Sequence, residues 1–172
     1  MARARRAKVP DVEQLALGQP EVTRDPADTS APGRPAYQVR GKTFVFFRGP
    51  RKDALDPRTG EPYDDVMAFS CTAEDKAAMV GDADSPFFTT PHWNGYNAVL
   101  LLERDIARIT LAELREVVTD AWLVKAPRRL AAAYLADPER HDRAAGIPLW
   151  GMMLSASRRW PCPDTPAART TT

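Results

Sequence analysis

The stretch Tyr37-Gln-Val-Arg-Gly-Lys-Thr-Phe-Val-Phe-Phe47 admits few structures. Aromatic and β-branched residues dominate it, a composition that packs well on a pleated surface. Gly41, between Arg40 and Lys42, interrupts the run with a residue that tolerates the positive φ of a tight turn. The segment predicts a β-hairpin turning at Gly41, and so an antiparallel sheet.

The remaining elements follow from local signals. Val66-Met-Ala-Phe-Ser-Cys71 predicts a third strand. Tyr96-Asn-Ala-Val-Leu-Leu-Leu-Glu103 predicts another, apolar enough to be read as central. Helices are predicted from Asp11 to about Leu17, capped by Asp11 and stopped by Gly18 and Pro20, and from Ala73 to about Val80 behind the cap Thr72. Thr110 and Glu113 form a capping box for the longest helix, whose Leu111, Leu114, Val118 and Trp122 recur on one face. Pro127 ends that helix, and a short one runs from Arg128 to Ala136. The Pro-, Asp- and Gly-rich stretches Gln19 to Pro35 and Gly49 to Tyr63 are expected to be loops, as is the aromatic Pro86–Gly95. Hairpin-linked strands mixed with helices make an α+β two-layer sandwich, an antiparallel sheet with helices packed on one face. The domain is expected over 11–136, after a basic arm at 1–10. An extension at 137–172 reads as apolar first and then disordered.

A chain of 172 residues with 44% hydrophobic and 27% charged residues can bury a core without staples. No apolar run is long enough to span a membrane, and Met1-Ala-Arg-Ala-Arg-Arg-Ala-Lys8 lacks the apolar stretch of a secretory signal, so a cytoplasmic location is expected. The two cysteines, Cys71 and Cys162, are accordingly expected to be reduced, with Cys71 a small core residue. The formal net charge of +1 means that any nucleic-acid binding must rest on a local patch.

Three segments in series resemble the MmcQ/YjbR family: Arg34-Pro-Ala-Tyr-Gln-Val-Arg-Gly-Lys42, Phe87-Phe-Thr-Thr-Pro-His-Trp-Asn-Gly-Tyr96 and Ala121-Trp-Leu-Val-Lys-Ala-Pro-Arg-Arg-Leu130. Leu17-Gly-Gln-Pro-Glu-Val22 resembles the family's opening, and the likeness covers about residues 9 to 136. It implies a frataxin-like fold and DNA binding through a double-wing arrangement. The chain departs from the family where Ala31-Pro32-Gly33 replaces a Trp-Gly pair, and its Gly49–Asp65 segment is longer than usual.

Two candidate sites stand out. Arg34, Arg40, Lys42 and Arg48, with Arg51, Lys52 and Arg58, crowd the hairpin and its flanks, while Lys125, Arg128 and Arg129 follow the long helix. Such cations can neutralise phosphates, and the expected partner is DNA with low sequence specificity, since no helix carries polar base-reading residues. Tyr37, Phe46 and Trp93 are available to stack on bases. Equally, the cations are ordinary solvated charges, and those at 125–129 complement a helix C-terminal dipole. The other candidate is the loop holding His92, Trp93, Asn94 and Tyr96, read either as the floor of a small-molecule or protein site or as a structural plug on the core.

Catalysis is not expected. Only two histidines are present, and no nucleophile elbow, phosphate loop or dinucleotide fingerprint occurs. No metal or cofactor is expected either, and the acids Asp64, Asp65, Glu74, Asp75, Asp82 and Asp84 read as a solvated face. The apolar residues within 147–160 are expected to pack back on the sheet or to mediate self-association.

Overall fold

The computed structural model describes residues 4–25 and 34–137. The predictions made for the C-terminal extension, for Cys162 and for self-association through 147–160 lie outside the described residues.

Helix α1 spans Val9–Leu17, β1 Val22–Asp25, β2 Ala36–Val39, β3 Lys42–Arg48, β4 Val66–Ser70, α2 Ala73–Gly81, β5 Ala98–Leu102, α3 Leu111–Lys125 and α4 Arg128–Leu135. Short 3₁₀ turns occupy Pro91–Trp93 and Glu103–Arg108. The strands form one antiparallel sheet in the order β1-β2-β3-β4-β5, with the helical layer on one face. The expected α+β sandwich is therefore what the chain forms.

The hairpin turns where expected. Arg40 and Gly41 have φ of 50° and 77°, so both central residues of the two-residue loop are left-handed, matching the twist of the flanking strands. Between β2 and β3 the register shifts: Tyr37 faces Val45 while Gln38 faces Thr43, leaving Phe44 as the extra residue of a bulge. Phe44 and Val45 consequently both reach the helical core.

Two expectations fail. The segment read as loop contains β1, which pairs Val22 with Val39 and Asp25 with Ala36. Of its residues only Val22 is apolar, so no pattern announced it; the open hydrogen-bonding edge of β2 recruits it. The strand read as central, β5, lies at the edge of the sheet. It is apolar on both sides because it is covered on both, and its outer edge is partly closed by Phe88, which exchanges two 2.9 Å backbone hydrogen bonds with Leu100.

The core has two parts. On the helical face, Tyr37, Val39, Phe69, Met67, Val99 and Leu101 meet Val12 and Ala16 of α1 and Leu114, Val118, Ala121 and Trp122 of α3. On the other face, Val66, Ala68, Leu100 and Leu102 are covered by Phe46, Tyr63, Phe88 and Trp93. Three of those four come from outside the sheet, brought by the 49–65 loop and the aromatic loop. The Thr110–Glu113 capping box forms in full. The helix begins at Val9 behind Lys8, so Asp11 is not the expected N-cap; it sits inside the first turn of α1, where it accepts the Lys8 N–H at 2.8 Å and a bidentate Arg5. Further backbone bonds, from Ala7 to Ile109 and from Leu111 to Arg5, stitch the described part of the basic arm to the start of α3.

Trp122 is the keystone of the helical layer. Fully buried, it stacks on Tyr134 of α4 at 4.8 Å and donates its indole N–H to the Pro20 carbonyl at 3.2 Å. Trp122→Ala is expected to lower the unfolding free energy by about 4 kcal/mol. A urea titration checks this, and a loss under about 1 kcal/mol would show that the junction of α1, α3 and α4 does not depend on the ring.

Candidate functional site

Strand register sorts the candidate residues to opposite ends of the sheet. Val45 faces Phe69 and Ser70 faces Ala98, so the first residues of β3, the last of β4 and the first of β5 share one end. Lys42 opens β3 there, with Arg40 just before it in the turn. The long helix arrives at the same end: Trp122 binds the Pro20 carbonyl, and the neighbouring Glu21 forms an ion pair with Arg40. Cys71, one residue past β4, reports the electrostatics. Burial pushes its thiol up to about 11, the charge of Lys76 opposes this, and that of Lys125 adds a smaller pull. Lys125, three residues after Trp122, ends α3 on this side, and the exposed Arg128 and Arg129 follow it at the start of α4. Two cation groups that the sequence separates by more than 80 residues thus belong to the same end of the sheet.

The first two residues of α4 are an unfavourable place for cations. Lys125, in the last turn of α3, does complement a helix C-terminus, as the simplest reading holds. Arg128 and Arg129 stand at the positive end of their helix and gain nothing from its dipole. Helix-dipole stabilisation accounts for one of the three charges.

Arg34 and Arg48 belong to the other end and are occupied. Arg34 pairs with Glu103 at 2.6 Å and donates to the carbonyls of Arg48 and Asp64. Arg48 is only 5% exposed; its guanidinium binds both oxygens of Asp53 at 2.8 and 2.7 Å and lies 4.9 Å over the Trp93 ring. Arg48, buried and bound to both carboxylate oxygens, offers no face to phosphate, and Arg34, a quarter exposed, already has three partners. Tyr37 is likewise core, and Phe46 packs on Trp93 at 6.0 Å. Exposed Arg58 pairs with Asp56 at 3.6 Å, and Arg51 and Lys52 are exposed.

The aromatic loop is held from two sides, by residues that local signals did not mark. Asp53 accepts the Trp93 indole N–H at 3.2 Å, its carbonyl accepts the Thr90 hydroxyl at 2.8 Å, and its carboxylate lies 3.7 Å from His92 Nε2. From α2, the Lys76 ammonium donates to the carbonyls of Trp93 at 2.5 Å and Tyr96 at 2.7 Å. Asn94 accepts from the Thr89 hydroxyl at 3.3 Å. Trp93 plugs the second core, whereas Tyr96, expected to join it there, is 55% exposed, and the His92 side chain is 54% exposed. The alternation explains this, because the single turn Pro91–Trp93 cannot point three successive side chains inward. Among the described residues, no three His, Cys, Asp or Glu side chains gather as a metal site.

Burial alone would raise the Asp53 carboxyl, but Arg48 and the Trp93 indole outweigh it and hold the group below the usual carboxylate value. A depressed folded-state pKa stabilises at pH above the unfolded value of about 3.9 and loses that contribution as pH falls through the lower folded value. Urea midpoints should accordingly drop on acidification below about pH 4 more steeply in the parent chain than in Asp53→Asn. Equal slopes would show that the clamp contributes nothing. Arg48→Ala, which strands a desolvated carboxylate, should cost about 3 kcal/mol at neutral pH in the same assay.

Comparison with known proteins places this geometry in a family. The YjbR family model matches residues 17–124, from the end of α1 nearly to the end of α3. Among curated proteins, the uncharacterized proteins Rv2570 and MT2646 of two Mycobacterium tuberculosis strains and Mb2600 of Mycobacterium bovis are each 39% identical over 106 residues, covering 59% of this chain and 80% of the relative. No solved structure matches significantly. The matched residues take in the whole sheet, the hairpin turn, the aromatic loop and most of α3, and the chain belongs to the YjbR family.

Proposed function

We propose that this chain is a non-catalytic DNA-binding protein that grips phosphates weakly and with little sequence preference. Its contacts come from Arg40 and Lys42 on the β2–β3 hairpin and from Lys125, Arg128 and Arg129 at the α3–α4 junction. The observation that carries the reading is the convergence of these two groups at one end of the sheet, where Arg128 and Arg129 have no dipole to complement. A hairpin with a basic tip is also a wing-shaped element, consistent with the DNA binding that the family resemblance implies.

The charges differ in availability. Lys42 is exposed and has no ion-pair partner among the described residues. Arg40 is paired with Glu21, but both side chains are solvent-exposed, at 66% and 40%, so the pair is weak and exchangeable. A phosphate can therefore take the place of Glu21. The overall charge of +1 suits a local patch, and α4 presents arginines without base-reading amides, which favours backbone contacts over base readout.

Fluorescence anisotropy of a labelled oligonucleotide, titrated across a salt series, tests the proposal. Five phosphate contacts predict a log–log salt slope of about −3.5 to −4.5. Arg40→Glu/Lys42→Glu and Arg128→Glu/Arg129→Glu should each flatten the slope and weaken binding, whereas Glu21→Gln should strengthen it by freeing Arg40. No binding at low salt, or binding indifferent to both charge reversals, would overturn the reading.

A further inference from the structure

We propose that the Thr90–Tyr96 loop is a base-stacking platform, which makes single-stranded DNA, not duplex, the preferred ligand of this end of the domain. The inference rests on the phosphate-binding reading above and adds the class of nucleic acid.

Ring geometry excludes an aromatic cage for a cation. His92, Trp93 and Tyr96 surround no space: their centroids lie 6.2, 5.7 and 5.4 Å apart, which is contact distance. A cage for a cation needs rings separated enough to admit the cation between them, and these rings touch one another. Their outer faces are what remains available. The His92 and Tyr96 rings, 5.7 Å apart and tilted by 31°, each belong to a side chain that is more than half exposed. A planar base can stack on an exposed ring of this kind.

The platform is also fixed in place. Lys76 holds the backbone at Trp93 and Tyr96, Asp53 holds Trp93 and Thr90, and Trp93 stands behind Tyr96 with Phe46 behind it. Rings already ordered in the free protein lose little entropy on binding. Nothing in packing requires Tyr96 to be aromatic, since it is more than half exposed.

Position links the platform to the cations. The Tyr96 backbone lies two residues before Ala98, whose partner is Ser70, and so reaches the sheet end that carries Arg40 and Lys42, while its ring packs on Trp93 over the face opposite the helical layer. A nucleic-acid strand held there by its phosphates has bases within the same region. In a duplex those bases are stacked on each other and paired; in a single strand they are free to stack on protein rings. Aromatic stacking with adjacent cations is the general means by which single strands are held without sequence preference.

The test compares a labelled 15-nucleotide oligothymidine with a 15-base-pair duplex, using the full chain with Tyr96→Ala, Tyr96→Phe, His92→Ala and Arg40→Glu/Lys42→Glu. The parent protein is expected to bind the single strand about tenfold more tightly than the duplex, and Tyr96→Ala to remove about that factor on the single strand alone. Tyr96→Phe should keep the preference, and unchanged duplex binding shows that the Ala variant is folded. Equal affinity for the two forms, or a Tyr96→Ala variant that keeps the preference, overturns the inference while charge-sensitive duplex binding leaves the phosphate reading standing. Single-strand binding lost in Tyr96→Ala but indifferent to Arg40→Glu/Lys42→Glu supports the platform and removes the phosphate contacts. Absence of binding to either form removes both.

Discussion

Strands β4 and β5 are apolar on both faces, and one layer of helices can cover only one of them. Much else follows from that constraint. The helical layer takes Met67, Phe69, Val99 and Leu101, and the residues between them, Val66, Ala68, Leu100 and Leu102, need a second cover. The chain supplies it with loops, which must then be rigid enough to exclude water. Burying Trp93 against the sheet brings its indole N–H out of solvent, and Asp53 satisfies it; burying Asp53 in turn requires Arg48. The clamp is thus a consequence of covering the second face. The exposed rings of His92 and Tyr96 are carried on its outside.

The same reasoning separates the arginines into two kinds. Of those near the second core, Arg48 is desolvated and must keep its carboxylate partner, and Arg34 is partly buried among a carboxylate and two carbonyls. Those at the other end face water, where ion pairs such as Arg40–Glu21 form and break with little penalty. A charge serves recognition only if its present partner can be exchanged. By that criterion Arg40, Lys42, Lys125, Arg128 and Arg129 qualify at one end, and the exposed Arg51, Lys52 and Arg58 of the 49–65 loop also qualify.

Most of the fold was legible in the sequence because its signals are local. The Gly41 turn, the Thr72 cap and the Thr110–Glu113 box each involve residues within a few positions of one another, and each forms as expected. What escaped depends on distant partners. β1 exists because β2 offers an edge, and β5 is apolar on both sides for reasons that lie in loops, not in a central position. The site follows the same division. Residue types marked the basic hairpin and the aromatic loop, but Arg48 could not be separated from Arg40 without knowing that Asp53 meets Trp93 across 40 positions. Asp53, like Asp56, looked like an ordinary acid in a basic loop, and Lys76 like any helix residue. Even so, the pairing of Arg128 and Arg129 with a helix start was open to reading from Pro127, which breaks the preceding helix.

In the proposed function one end of the sheet, and not the molecule's general charge, meets the nucleic acid. Amide chemical-shift mapping of the isotope-labelled chain during titration with an unlabelled oligothymidine tests it most directly. The account predicts perturbations confined to residues 40–42, 92–96 and 125–129, with Arg34 and Arg48 unmoved. Shifts spread over all exposed lysines and arginines, or centred on Arg34 and Arg48, would contradict it.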